Sequence, residues 1–222
     1  MTVSYAQTLD GRLATASGDS QWIGCPDSLR FSHELRARHD AILVGVGTVL
    51  KDDPRLTCRL VPGDDPMRVV ADSALRTPLS AAVLADGAAH GTVLAVTARA
   101  PEERKREAEA LGATVLTLPQ DGAGTVDLPV LLRKLRSLDV RSLMVEGGAA
   151  LITSLLRMRL VDRLAVCVAP KILGSGIEAV GDLGVCDLED SLALVDAKVA
   201  FYGVDLVLDG RVVYPPARDG SG

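Results

Sequence analysis

Two acidic and three basic side chains fall in the fifteen-residue stretch from Gly45 to Arg59: Lys51, Asp52, Asp53, Arg55 and Arg59. An apolar run, Ala41-Ile42-Leu43-Val44, leads straight into it. That run is short, partly β-branched and stops at glycine, so it reads as a buried strand. A strand that ends in small residues and then presents carboxylates and cations reads as an active-site loop on an α/β scaffold. A solvated surface loop is the alternative, since charged loops are common. Asp52 could serve as an acid, whereas Asp53-Pro54 has the chemistry of a turn start. Arg36 and Arg59 could clamp a phosphate through paired charge-assisted hydrogen bonds, with plain surface charge as the alternative.

A second candidate is Glu146-Gly147-Gly148-Ala149, where a strand meets a helix. Two glycines let a ligand's phosphates approach the backbone, and a helix start offers free N–H groups and partial positive charge. A tight turn would also ask for glycine, and no full G-x-G-x-x-G fingerprint follows a strand. The third is Thr97-Ala98-Arg99-Ala100-Pro101, again between a strand and a helix. A Thr and an Arg there could take the 2′-phosphate of NADPH, and no acidic ribose clamp of the kind that favours NADH stands beside them. An arginine on a solvated loop is the competing reading. Trp22, the one tryptophan, could form a pocket wall or sit in the core.

The totals narrow the classes. The 222 residues suit one domain, and 48% hydrophobic with 3% aromatic residues implies an aliphatic core. A net charge of −5, without a basic patch, argues against nucleic acid. The basic clusters Arg36/Arg38/His39 and Arg104-Lys105-Arg106 read by default as solvated helix faces. Four scattered cysteines and three histidines show no ligand spacing, so neither a metal site nor a disulfide framework is expected. The expected setting is a reducing cytoplasm, with no signal peptide in Met1 to Ala6. No run approaches the ~20 apolar residues of a bilayer span. No G-x-S-x-G or similar nucleophile motif supports covalent hydrolysis.

The elements that must hold these residues follow from periodicity. Strands are expected at 2–7, 41–44, 68–72, 92–97, 114–118, 142–145, 163–169, 193–201 and 204–208. Helices are expected at 26–38, 101–111, 128–138 and 148–156, and 48–51 looks helical. Pro26 suits a first helical turn. Leu128, Leu131, Leu132, Leu135 and Leu138 keep helical spacing. Alternating strand and helix from about 41 to 157 argues a mostly parallel sheet with helices on both faces. The strands before and after Tyr202-Gly203 read as an antiparallel hairpin at its C-terminal edge. One domain, 1–214, is expected, followed by a polar, loose tail at 215–222.

Seven motifs in order resemble the reductase domain of the bifunctional riboflavin-biosynthesis deaminase/reductase and the free-standing reductases of that family. They are Thr8-Leu9-Asp10-Gly11-Arg12, Ser17 to Ile23, Leu35-Arg36-Ala37-Arg38, Thr48 to Thr57, Asp72 to Pro78, Val145-Glu146-Gly147-Gly148, and Ala169 to Gly174. The resemblance implies a dihydrofolate-reductase-like α/β fold. It also implies NADPH-dependent reduction of a ribosylaminopyrimidine 5′-phosphate to its ribitylamino counterpart. By motif, Ser20, Arg36, Leu56, Arg59 and Glu146 would contact substrate, the arginines near its phosphate. Ala6, Trp22, Thr48 and Asp52 would line NADPH or the space between the ligands, and Gly147 and Gly148 would hold its pyrophosphate. Asp52, on that loop, is the expected catalytic acid. Thr97 and Arg99 for the 2′-phosphate rest on loop position alone.

The deaminase pattern, H-x-E with P-C-x-x-C, does not occur in these residues, so deamination is not expected of this chain. Whether the pyrimidine is deaminated before reduction stays open. Family members are built as dimers, and an apolar antiparallel edge at 193–208 points the same way. Two other readings compete. One is a dihydrofolate or pterin reductase, against which no Trp-Asp/Glu pairing is found; the other is a non-catalytic nucleotide-binding protein.

Overall fold

The computed structural model describes residues 1–21 and 23–216. The first half of the chain forms β1 (Thr2–Thr8), β2 (Arg12–Thr15), α1 (Pro26–Ala37), β3 (Ala41–Gly45), α2 (Val46–Asp52), β4 (Met67–Ala71), β5 (Thr92–Val96) and α3 (Glu102–Ala110). The second half adds β6 (Thr114–Thr117), α4 (Leu128–Ser137), β7 (Leu143–Gly147), α5 (Ala149–Arg157), β8 (Arg163–Ala169), β9 (Gly176–Glu178), β10 (Ala193–Tyr202) and β11 (Asp205–Val213).

Nine strands make one sheet in the order β10-β11-β8-β1-β7-β3-β4-β5-β6. From β8 to β6 every neighbouring pair is parallel. β11 lies antiparallel on β8, and β10 antiparallel on β11. The expected architecture, a mostly parallel sheet with an antiparallel C-terminal edge, is therefore what forms.

The two-residue strand period sends alternate side chains to opposite faces. Leu43, Val69, Val93 and Val145 face one way and bury against Leu131 and Leu135 of α4 and Ile152 and Leu155 of α5. Ile42, Val70 and Leu94 face the other way, onto Val46 and Val49 of α2 and Ala108 of α3. Phe31 and Leu35 of α1 pack on that same side against Met144, Ala165 and Val207. Each fully buried aliphatic side chain contributes roughly 1.5–3 kcal/mol, so the aliphatic core compensates for the scarcity of aromatics.

Four details differ from the sequence reading. The helical stretch expected at 48–51 is longer, Val46–Asp52, and takes up the start of the segment read as a loop, capped by Gly45 and ended by Asp53 in the left-handed conformation (φ 40°). Its driving force is the Val46/Val49 pair, three residues apart and buried. The alternation of strand and helix fails between β4 and β5, where residues 72–91 cross in turns and a short 3₁₀ segment. β2 and β9, where no strand was expected, form a small antiparallel sheet of their own. β11 does not stop at Leu208: it runs to Val213, paired with β10 and β8, and Gly210 interrupts the apolar alternation that would have revealed this.

Candidate active site

The C-terminal ends of β1, β3 and β7 open onto a cavity of about 550 Å³. α1 walls one side, α2 and the start of α5 the other. Ala6, Ser20, Thr48, Asp52, Glu146 and Gly148, all expected site residues, line it. They come from four separate stretches of chain, and the parallel sheet brings them together at one end, as open α/β sheets do. Asp52 ends α2, exposed, and Ser20 Oγ donates to its Oδ1 at 3.3 Å. Thr48 lies four residues earlier, on the same face of the helix.

Glu146 is the second carboxylate of the cavity. Arg36 grips it with two bonds, Nε to Oε1 at 2.6 Å and Nη2 to Oε2 at 2.7 Å. Arg36 Nη1 donates to the carbonyl of Thr57 at 3.0 Å. The guanidinium is buried, which works against its charge, but Glu146 outweighs that and raises its pKa. His33, one helical turn away on α1, is fully buried with no hydrogen-bond partner. Burial, with Arg36 and Arg59 nearby, lowers its pKa to about 4, so it packs as a neutral ring.

Three expected substrate residues are therefore placed differently. Arg36 is not a free phosphate clamp: three of its five N–H groups bond Glu146 and the Thr57 carbonyl, and it does not line the cavity. Leu56 is 1% exposed and belongs to the α2/α3-side core, so its side chain cannot contact a ligand. Arg59 is exposed outside the cavity, with a single long contact to Thr57 Oγ1 at 3.4 Å. Trp22 lies outside the described residues. Asp53 fits its expected turn role, capping α2 and accepting from the Ala82 N–H at 2.7 Å.

Gly45, Gly47, Ala150 and Leu151 also border a second cavity, of about 560 Å³, toward β4 and β5. α5 begins between the two, with Gly148 as its N-cap. Gly147 adopts φ +111°, a conformation that only glycine takes readily, and this lets the chain turn from β7 into α5. Ala150 and Leu151 of that first turn line both cavities, and the leading N–H groups of a helix have no partner within it. Arg76 and Arg99 line the second cavity together with Ser73 and Thr125; among the described residues no Asp or Glu lines it, although the buried Asp72 lies 4.0 Å from Arg76 Nε.

Thr97 stands behind this wall. It is fully buried, its hydroxyl donates to Ser73 O at 2.7 Å and accepts from Arg99 N at 3.2 Å, so it shapes the loop and does not reach a ligand. Asp72 fixes the neighbouring loop by accepting from the Thr77 N–H and hydroxyl at 2.7 and 2.8 Å. Arg104, read as part of a solvated helix face, instead staples that loop through the carbonyls of Leu75 and Thr77 at 2.9 and 2.8 Å. The result presents Arg76 beside Arg99. Arg76 and Lys51, the latter lining the first cavity, had no expected role. Arg76 was visible in the Asp72-to-Pro78 motif, but nothing in sequence says that this loop meets the one at Arg99.

Comparison with known proteins gives these cavities a setting. The model of the RibD C-terminal domain family matches residues 1–208. The chain is 42% identical over 209 residues to the riboflavin biosynthesis protein RibD of Aquifex aeolicus, covering 94% of this chain and 56% of that one. It thus spans about half the length of that relative. It is 43% identical over 216 residues to the 2,5-diamino-6-ribosylamino-4(3H)-pyrimidinone 5′-phosphate reductase of Methanothermobacter thermautotrophicus, covering 95% and 96% of the two chains. Among solved structures, Acinetobacter baumannii RibD superposes with a TM-score of 0.81 at 27% identity, over 96% of this chain and 57% of that one. The Saccharomyces reductase Rib7 follows with a TM-score of 0.74, also at 27% identity, over 96% and 89%. No helix among the described residues is long and apolar enough to cross a membrane. A sheet whose strand ends converge on a carboxylate-bearing cavity, matched to a family model over nearly its whole length, places the chain in the RibD C-terminal domain family.

Proposed function

We propose that the chain reduces the ribosylamino group of 2,5-diamino-6-ribosylamino-4(3H)-pyrimidinone 5′-phosphate to ribitylamino, with NADPH as donor. It is an oxidoreductase of riboflavin biosynthesis, as relatives named reductases at 40–43% identity indicate. The observation that carries the finer reading is the pair of adjoining cavities. One holds Asp52 and Glu146 with Lys51; the other is lined by two guanidiniums and, among the described residues, by no acid. The second suits a cofactor that carries a 2′-phosphate, because paired cations stabilise it and no carboxylate competes for a ribose hydroxyl. The start of α5 between them suits the pyrophosphate.

NADPH supplies a hydride. The substrate must first open: its C1′–O4′ bond breaks as the C1′=N bond forms, and O4′ takes a proton. Hydride addition at C1′ then returns the nitrogen to an amine, so the sum is one hydride and one proton added. The protein's part is alignment and proton delivery. Both Glu146 oxygens are engaged by Arg36, which fixes the carboxylate toward the substrate. Asp52 lines the same cavity without such a clamp, accepting from Ser20 Oγ at 3.3 Å, and is the group assigned here to deliver the proton. With Arg36 holding Glu146, the cations available for the substrate phosphate are Lys51, which lines this cavity, and Arg59, exposed outside it.

The test follows NADPH oxidation with three acceptors: the diaminopyrimidinone phosphate, its deaminated counterpart, and dihydrofolate. Turnover of the first at the highest kcat/KM supports the proposal. Preference for the second would assign the chain the deaminated substrate, and preference for dihydrofolate would overturn the reading.

A further inference from the structure

Asp205 opens β11, beyond the hairpin turn at Gly203, and belongs to no part of the site described above. It is 1% exposed. Its Oδ2 accepts from the Cys25 N–H at 2.6 Å and the Ser28 hydroxyl at 2.6 Å, with the Cys167 thiol at 3.6 Å. Burial opposes its charge, yet the donors around it lower its pKa. Gly24, Cys25 and Ser28 all line the first cavity, on the α1 side, opposite Thr48 and Gly148. The C-terminal hairpin therefore reaches across the molecule and grips the stretch that begins α1.

The junction is tight from both sides. A Cβ on Gly24 would lie 2.5 Å from Ser28 Oγ and 3.2 Å from Asp205 Oδ2. A Cβ on Gly203 would lie 2.9 Å from Cys25 Sγ and 2.7 Å from Asp27 Oδ2. Cys25 Sγ in turn donates to the Tyr202 carbonyl at 3.0 Å, and the Tyr202 ring rests on Phe31 of α1 with centroids 4.8 Å apart. Helix α1 starts without a side-chain cap of its own. The carboxylate that fixes its start comes from 180 residues away.

The geometry points to Asp205 as a positioning residue that sets the pyrimidine-side wall of the cavity and leaves the cofactor side alone. Its reach ends at Cys25 and Ser28, while the residues shared with the second cavity are Gly45, Gly47, Ala150 and Leu151. The inference rests on the substrate assignment proposed above.

The experiment compares Asp205→Asn, Gly24→Ala and Asp209→Asn with the parent protein in steady-state kinetics. Asp209→Asn is the structural control: it weakens a different β11 carboxylate contact, the ion pair to Arg163 at 2.6 Å, whose two residues do not line the cavity. For Asp205→Asn and Gly24→Ala, KM for the pyrimidine phosphate should rise about tenfold, with KM for NADPH within about twofold and kcat within about threefold. Asp209→Asn should leave both KM values in place. An equal rise in both KM values, or none, overturns the inference. Gly24→Ala, which keeps the carboxylate, decides the matter if Asp205→Asn does not fold. Alkylation of Cys25 by iodoacetamide, read by mass spectrometry, supplies a measure that needs no substrate. Its rate should rise several-fold in Asp205→Asn or Gly24→Ala and stay unchanged in Asp209→Asn; an unchanged rate throughout also overturns it. Failure of the parent protein to reduce the pyrimidine, with the alkylation difference intact, would sink the substrate assignment alone.

Discussion

The cavity under α1 and its neighbour beyond Gly45 and Gly47 are nearly equal in volume and share one border, yet their charged linings differ: the first mixes carboxylates with Lys51, and the second has arginines. The first carries Asp52 and Glu146, and the second Arg76 and Arg99. They also differ in how firmly their charges are held. Glu146 is locked by a buried, bidentate partner, whereas the side chains of Arg76 and Asp52 stand largely in water. A fixed, desolvated group suits a place where geometry limits the rate, because its orientation costs nothing during the reaction. Exposed cations suit a place that only has to attract a phosphate, where solvent screens each contact.

The comparison breaks most severely at Arg36. Arg36→Ala leaves Glu146 half-desolvated and unpaired, and breaking a buried pair from one side costs about 3 kcal/mol or more. Urea titration should show that loss in the midpoint; a change under about 1 kcal/mol would mean that water already serves Glu146. Asp52→Asn tests the exposed carboxylate. The fold should be untouched, but single-turnover hydride transfer should slow by ~10²-fold, the usual scale of general acid catalysis. Asp53→Asn should cost far less, and the reverse order would remove Asp52 from its role.

Arg59→Ala comes next. Loss of one charge-assisted hydrogen bond predicts about 1.5 kcal/mol, read as KM for the phosphorylated substrate. The dephosphorylated analogue should not respond; if it does, Arg59 acts on something other than phosphate. The smallest effect belongs to the acid-free cavity. The parent protein should prefer NADPH over NADH by about tenfold, or 1.4 kcal/mol, and Arg76→Ala and Arg99→Ala should each narrow that gap by part. Equal kcat/KM for both cofactors in the parent would detach this cavity from the 2′-phosphate.

The same contrast explains what could be read from the residues alone. The parallel sheet was legible because Ala41-Ile42-Leu43-Val44 and its counterparts are short apolar runs with glycine, proline or charge at their ends. Asp52, Glu146 and Gly148 were legible because strand ends of such a sheet meet at one edge. Arg36 was legible as important but not in its role, since a guanidinium looks the same whether it awaits a phosphate or grips a carboxylate 110 residues away. Thr97 and Leu56 are buried, and spacing in the sequence does not report which loop side chains turn inward. Arg76 stayed hidden because its meaning depends on Arg104 and Asp72 shaping one loop against another.

The common border of Gly45 and Gly47 has a consequence for inhibitor design. At those two positions the floor between the cavities has no side chain to stand in the way, and a Cβ on Gly47 would meet nothing within 4 Å. A single compound could therefore cross from one compartment to the other, with a neutral heterocycle at one end and an anionic tail at the other. Its tether would have to be slim where it passes the glycines. The strength of such a bridging ligand would come from joining two modest affinities through a short linker, not from an exceptional fit at either end.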